Sequence, residues 1–173
     1  MIRLYNKART IINILLAKLM YKNKVVFGKK IGILKGFNIV IGKKGKLIIG
    51  NNVFFNNYCS VNCLSNINIG DGCIFGEGVK LYDHNHEYKD INLLIKQQGF
   101  KRGKITIGKN CWIGSNVVIL NNVNIGDNVI IGANCLIYKS IPSNSIVKNN
   151  SGLLIDSRCK ENNQYRNIIN IKD

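Results

Sequence analysis

The sequence predicts a mainly β chain wound into a parallel coil, and three observations carry the prediction. An aliphatic residue returns at every sixth position through Ile107, Ile113, Ile119, Ile125, Ile131 and Ile137. Two places before each of the last five stands a small side chain: Cys111, Val117, Val123, Val129 and Cys135. Glycine follows the aliphatic residue at Gly108, Gly114, Gly126 and Gly132, with Lys, Ser, Asp or Ala next. A helix would repeat near 3.6 and a flat strand near 2.0, so a strict six means short strands joined by like corners. Gly lacks a Cβ and Asn bonds its own backbone, so both suit the tight or left-handed backbone of a corner. Three strands close one turn, successive turns stack as parallel strands at roughly 4.8 Å, and the expected fold is a left-handed parallel β-helix. Period by itself leaves the hand open.

The elements follow in order. Residues 1–24 predict an amphipathic helix, because Ala8, Ile11, Ile12, Leu15, Leu16 and Leu19 follow helical spacing with Lys7, Lys18 and Lys22 among them. It is expected to cover the open end of the coil or pack in an assembly. The alternative is a basic amphipathic helix resting on an anionic membrane. Its longest apolar run, from Ile11 to Ala17, is broken by Asn13 and stopped by Lys18, far short of the roughly 20 residues that span a bilayer. It has no small-residue cleavage site, so no secretory signal is read.

The coil is expected over 25–147. Val25, Val26, Ile31 and Ile41 mark weak first turns, and a firmer phase runs through Ile49, Phe55, Val61 and Ile67. It slips by two residues to Ile69, Phe75 and Leu81, which marks an irregular corner. The ladder then vanishes until Ile107, so residues 82–104 are expected to leave the coil as an extruded loop. Roughly six turns result once the loop is removed. Residues 148–173 are a C-terminal extension.

One dominant repeat in 173 residues predicts a single domain. The formal charge of +16 would suit phosphate, but no nucleic-acid motif appears, the lysines are scattered over corners and no aromatic stacking platform forms, so nucleic acid is not the expected partner. The excess could instead attract an anionic cofactor or substrate. Cys59, Cys73, Cys111 and Cys135 fall on the small inward place of their hexads, which predicts buried thiols used as core. Cys63 and Cys159 fall outside that pattern. No paired C-x-x-C motif exists, so no metal site is expected, and the default compartment is the reducing cytoplasm, at the inner face of the membrane if the helix rests there.

Both histidines of the chain lie in Asp83-His84-Asn85-His86, where the ladder breaks. A smooth coil has no need of imidazole, so their placement points to a site.

Further residues carry a family resemblance: Gly50 through Asn56, Ile69-Gly70-Asp71 through Tyr82, His86, Ile105 through Ser115, Ile125 through Asn128, Gly132-Ala133, and Lys139 to Pro142. Over about residues 41–142 the chain resembles the hexapeptide-repeat acyltransferases, particularly the galactoside and maltose O-acetyltransferase branch and its relatives that decorate capsules and lipopolysaccharide. The resemblance implies acetyl-CoA as acetyl donor, a carbohydrate acceptor and a homotrimer with sites between neighbouring subunits. It implies that His86 is the general base, with His84 the weaker candidate. Imidazole suits that role, having an ordinary pKa of roughly 6.5. Ser115 would lie beside the thioester and donate to the developing oxyanion. Trp112 would line the cofactor groove, Ala133 would meet the pantetheine arm, Lys139 would supply a basic place near the cofactor, and Asn56 would contact the acceptor. Asp83, also an acceptor-side candidate, Glu87 or a backbone carbonyl could orient the base.

Two departures qualify the transfer. Cys63 and Leu64 stand where some relatives carry acidic residues that bind galactoside, and Phe54 replaces a tyrosine. The family's Gly-x-Pro-x-Arg-like segment is replaced by Asn149 to Leu153, which removes a cationic contact to the cofactor phosphates. The expected function is therefore O-acetylation of a sugar hydroxyl other than a simple galactoside, on a bacterial surface polysaccharide or its precursor. N-acetylation of an amino sugar is the rival within enzymes. A metal-dependent hydratase on this fold needs three histidines, and a non-catalytic binding coil needs no acetyl-CoA.

Overall fold

The computed structural model describes residues 2–149, and within them the six-residue ladder becomes a prism with three parallel sheets as faces. Helix α1 (Ile2–Tyr21) comes first. The first turn of the coil is β1 (Val25–Phe27), β2 (Gly32–Ile33) and β3 (Asn38–Ile41). The second is β4 (Lys46–Ile49), β5 (Phe54–Phe55) and β6 (Ser60–Cys63), and the third β7 (Asn66–Ile69), β8 (Ile74–Phe75) and β9 (Lys80–Tyr82). A hairpin arm of β10 (His84–His86) and β11 (Phe100–Arg102) then leaves the coil. The fourth turn is β12 (Lys104–Ile107), β13 (Trp112–Ile113) and β14 (Val118–Ile119), and the fifth is β15 (Val123–Ile125), β16 (Ile130–Ile131) and β17 (Leu136–Ile137). Strand β18 (Ile146–Val147) begins a sixth.

The faces stack in the order β1-β4-β7-β12-β15, β2-β5-β8-β13-β16-β18 and β3-β6-β9-β14-β17. The three are called the first, second and third face below. Each inward ladder position is buried: Ile105, Ile107, Ile113, Ile119, Ile125 and Ile131 all lie in one continuous core. The fold is thus the expected left-handed β-helix. Its corners use left-handed backbone, with Asn116, Asn122, Asn128 and Asn134 at φ of 57°, 60°, 56° and 60°, the conformation that Asn tolerates better than most residues.

The lower turns are wider than the upper ones, and the register says why. Val25 pairs with Leu47 and Leu47 with Ile67, steps of 22 and 20 residues, whereas Ile105 pairs with Val123, a step of 18. The extra residues sit at the corner between the third and first faces. There Ile41 pairs with Cys63, and Asp83 follows directly after the Asn62 to Tyr82 pair. This is the irregular corner signalled by the two-residue slip, and it gives Cys63 a place: fully buried in that added column. The wider section is filled by aromatic rings, Phe37 on Phe55 at 4.7 Å and Phe55 stacked on Phe75 at 4.6 Å. Cys59, Cys73, Cys111 and Cys135 are buried as expected and free of disulfides. Cys159 lies outside the described residues.

Helix α1 lies across the open end of the first turn. The Thr10 hydroxyl accepts the Ile33 N–H at 2.9 Å and lies within donating distance of the Ile33 carbonyl at 3.1 Å. The Tyr21 hydroxyl donates to the Ile39 carbonyl at 3.0 Å. These bonds satisfy strand groups that have no strand beneath them. The orientation of the helix departs from the usual amphipathic expectation. Thr10 and Ala17 are buried against the coil, while Ile11, Ile12, Leu15, Leu16 and Leu19 are exposed. The apolar stripe faces outward because the coil end needs polar caps and small side chains for close approach.

Candidate functional site

The loop that holds both histidines is anchored by a carboxylate. Asp83 is 0 % exposed. Its Oδ1 accepts the Leu64 N–H at 2.8 Å and its Oδ2 accepts the Ser65 N–H at 2.7 Å. Those amides belong to the preceding turn's corner, so the side chain ties the exit of the arm to the coil below it. The same Oδ1 lies 3.0 Å from His84 Nδ1. On the return side the Gly103 N–H donates to the Asp83 carbonyl at 2.7 Å. Asp83 therefore closes the base of the arm at both of its strands. With no exposed surface, it is not open to an acceptor as the sequence suggested, and the imidazole it holds is His84 rather than His86.

The antiparallel register of the arm sets His84 opposite Arg102, Asn85 opposite Lys101 and His86 opposite Phe100. Phe100 packs edge-on to His84 with centroids 5.2 Å apart and tilted against His86 at 4.5 Å. The two imidazoles differ in setting. The His84 side chain is 16 % exposed and bonded to a buried carboxylate, whereas His86 is exposed. The Asn85 amide donates to Asn121 Oδ1 at 3.2 Å, joining the arm to the next turn's corner. Phe100, Lys101 and Arg102 were not singled out by sequence reasoning. Their signal was a basic run, Lys101-Arg102-Gly103-Lys104, immediately before the ladder resumes.

Three of the remaining candidates, Asn56, Ser115 and Ala133, fall on a different edge of the prism. Phe55 pairs with Phe75, and through Ile113 the column reaches Ile131 and Val147. The corner that follows this column carries Asn56, Gly76, Gly114-Ser115, Gly132-Ala133 and Lys148 in successive turns. Close stacking is obligatory there. A Cβ on Gly76 would lie 2.6 Å from the Ser115 nitrogen, and one on Gly114 2.6 Å from the Ala133 nitrogen. Asn56, Ser115 and Ala133 thus share one edge, between the second and third faces. Asp83, His84, His86 and Lys139 share another, between the third and first faces. Lys139 stands apart from Ser115 and Ala133, and the exposed Lys148 is the cation that tops their edge.

Trp112 points outward from the second face and is 56 % exposed. It stands in register with Phe54, Ile74, Ile130 and Ile146 on neighbouring strands. An apolar column therefore runs up this face beside the Ser115 edge, with Ile74, Trp112, Ile130 and Ile146 all exposed. Within one chain the third face separates the histidines from Ser115. The small-residue edge and the flat indole offer a track for an extended, partly apolar chain, with Lys148 at its end for an anionic group. That donor set fits a pantetheine-bearing cofactor.

Burial pushes the Cys59 thiol up to about 11 and the Cys63 thiol to about 12, the latter aided by the Asp83 carboxylate. The Cys73 thiol is raised by its hydrogen bond with the Cys111 thiol and, after that, by burial. Cys59 and Cys63 are thus core groups that keep their protons at neutral pH.

Residues 104–139 match the family model described as bacterial transferase hexapeptide (six repeats). The chain is 31% identical over 80 residues to the probable acetyltransferase Rv3034c of Mycobacterium tuberculosis, a match covering 46% of this chain and 27% of that protein. A galactoside acetyltransferase solved in complex with coenzyme A superposes with a TM-score of 0.66 at 31% identity, over 76% of this chain and 62% of that one. A hexapeptide-repeat acetyltransferase from Vibrio cholerae gives 0.62 at 27% identity, over 69% and 65%. The chain spans about a quarter of that curated relative and less than two thirds of either solved protein. Its repeat is thus the bacterial transferase hexapeptide repeat, wound as the left-handed β-helix of hexapeptide-repeat acetyltransferases.

Proposed function

We propose that this protein is an acetyl-CoA-dependent O-acetyltransferase that acts on a sugar hydroxyl of a bacterial surface polysaccharide or its precursor, as a homotrimer. The observation that carries the reading is the division of labour between two edges: an arm bearing both imidazoles on one, and the small-residue track of Ser115 and Ala133 on the other. A site built from both is completed by a neighbouring copy, whose histidine arm would face this chain's Ser115 edge. The exposed column of Ile74, Trp112 and Ile130 supports such an assembly, since contiguous apolar surface of this kind marks contact sites. The similarity to a galactoside acetyltransferase bound to coenzyme A supports the cofactor.

Acetyl-CoA supplies an activated thioester, so no covalent enzyme intermediate is required. His86 is the proposed base. Its exposed imidazole accepts the proton of the acceptor hydroxyl as that oxygen attacks the thioester carbonyl, and returns the proton to the departing thiolate. Ser115 donates to the oxyanion that forms on the carbonyl oxygen. Trp112 and Ala133 align the pantetheine arm, Lys148 and a neighbour's Lys139 meet the phosphates, and Asn56 contacts the acceptor. Holding the two reactants in line supplies much of the remaining rate.

The Asp83 to His84 bond favours a second reading, in which the carboxylate orients His84 and His84 is the base. Turnover with acetyl-CoA and an oligosaccharide acceptor separates the two. His86→Ala should lower kcat by about 100-fold or more and leave coenzyme A binding intact, while His84→Ala should act mainly on stability. The reverse pattern would transfer the role to His84. Locating the new acetyl group by NMR on hydroxyl and amino sugars distinguishes oxygen from nitrogen as acceptor.

A further inference from the structure

The end of the coil covered by α1 carries an apolar surface that the proposed chemistry does not use. Helix α1 spends Thr10, Ala17 and Tyr21 on the coil, which leaves its opposite side to solvent. Leu4 and Leu19, at 74 % and 75 % exposed, mark the ends of a stripe that includes Ala8, Ile12 and Leu15. These residues recur at helical spacing on one side, away from every contact with the coil. Lys7 and Lys18 flank the stripe on one side and Arg9, stacked over the Tyr5 ring at 4.4 Å, on the other.

Charge is distributed in the same sense. Twelve of the 25 lysines and arginines precede Asp71, the first acidic residue of the chain, so none of the nine acidic residues lies in the helix or the first two turns. At the first turn all three corners present exposed lysines: Lys29 and Lys30 at one, Lys35 at the next, Lys43 and Lys44 at the third. A leucine-rich stripe therefore lies across the end of the prism inside a triangle of cations.

We propose that this end docks on an anionic lipid bilayer, with the α1 stripe sunk to the level of the headgroups and the corner lysines on the phosphates. An interfacial helix needs an apolar face, basic flanks and no acidic residue facing the lipid, and α1 has all three. Lysine and arginine stems extend beside such a face while their charges stay at the polar boundary. No helix among the described residues is long and apolar enough to cross a membrane, so the contact is peripheral. Nucleic acid would use the lysines and leave the stripe unexplained. A second copy of this chain would cover the stripe and bring equal positive charges face to face. In the docked state the coil stands on the bilayer by its first turn, with the histidine arm between the third and fourth turns raised above the surface. An acceptor still joined to a lipid could be met there, a corollary that rests on the acetyltransferase reading; the docking itself does not.

The test is flotation of the full chain with vesicles of phosphatidylcholine alone and of phosphatidylcholine with one quarter phosphatidylglycerol. The chain should float with the anionic vesicles and not the neutral ones, and high salt should release it. Leu15→Asp with Leu19→Asp should weaken binding by about tenfold or more, as should Lys29, Lys30, Lys43 and Lys44 exchanged together for Gln. All six side chains are exposed, and the lysine variant keeps the test decisive if the leucine variant misfolds. Equal binding to both vesicles, or binding unchanged by either variant, would overturn the proposal. Light scattering supplies the other outcomes. A mass that falls in the leucine variant, with no flotation of the parent chain, assigns the stripe to self-association. Retention of a DNA duplex through the lysines alone assigns the charge to nucleic acid. Neither result bears on whether acetyl-CoA is turned over.

Discussion

Asp83 shows how one side chain can decide a local architecture. A carboxylate with no exposure persists only when its oxygens are bonded, and here two backbone N–H groups and one imidazole do that. Removing it strands the Leu64 and Ser65 amides inside a corner. Asp83→Ala should therefore cost about 2 to 4 kcal/mol, read as a lower urea midpoint, and should release the arm, read as faster amide exchange at His84 to His86. An unchanged midpoint would mean that the corner is held by its neighbours alone. The sequence located the arm, since both His84 and His86 fall where the ladder stops. It could not assign the carboxylate to one of them, because His84 and His86, two places apart, share one side of a strand, and only the turn at which the arm leaves the coil decides which of them reaches Asp83.

Among the elements, α1 was the least legible. Helical spacing correctly groups Ile12, Leu15 and Leu19 on one side, but spacing reports which residues share a face and not which face the fold covers. The coil end is a row of unpaired strand groups, so it selects Thr10 and Tyr21, whose hydroxyls can bond Ile33 and Ile39, and the leucines are left outside. Thr10→Val keeps the shape and deletes the bonds. It should destabilise the protein by about 1 to 2 kcal/mol, with faster hydrogen exchange at the Ile33 amide as the local signature. A shift confined to the helix, with Ile33 unaffected, would show that the strand edge does not depend on the hydroxyl. The corners, by contrast, were legible at once, because Asn at the left-handed position of every upper hexad has a direct backbone cause.

The whole molecule behaves as one apolar column, and its thiols make that testable. Cys59 and Cys63 are held neutral by burial, with pKa values raised from 9.0 to about 11 and about 12. Below pH 9 both folded and unfolded chains keep these protons, so the thiols contribute no pH dependence. Above it the unfolded chain ionises first and binds fewer protons than the folded one, so stability falls as pH rises. The loss is at most about 1.4 kcal/mol per pH unit for each thiol, and it ends near the folded pKa. Thermal unfolding between pH 8 and 11 should show a falling Tm whose slope is reduced in Cys59→Val, a substitution that the hexad pattern accommodates. An equal slope in that variant would place the titration elsewhere.

By itself the sequence determined the coil, its phase, its corners and the point where the arm leaves, because each is written as a period or a break in a period and depends only on residues a few places apart. Tertiary structure decided the rest: that His86 and Lys139 stand on one edge of the prism and Ser115 and Ala133 on another, and that the apolar stripe of α1 looks outward. The reason is the same in both cases. Which edge a residue reaches depends on the extra residues accumulated at the wide corners of the lower turns, and which face of a helix is covered depends on what its neighbour leaves unbonded.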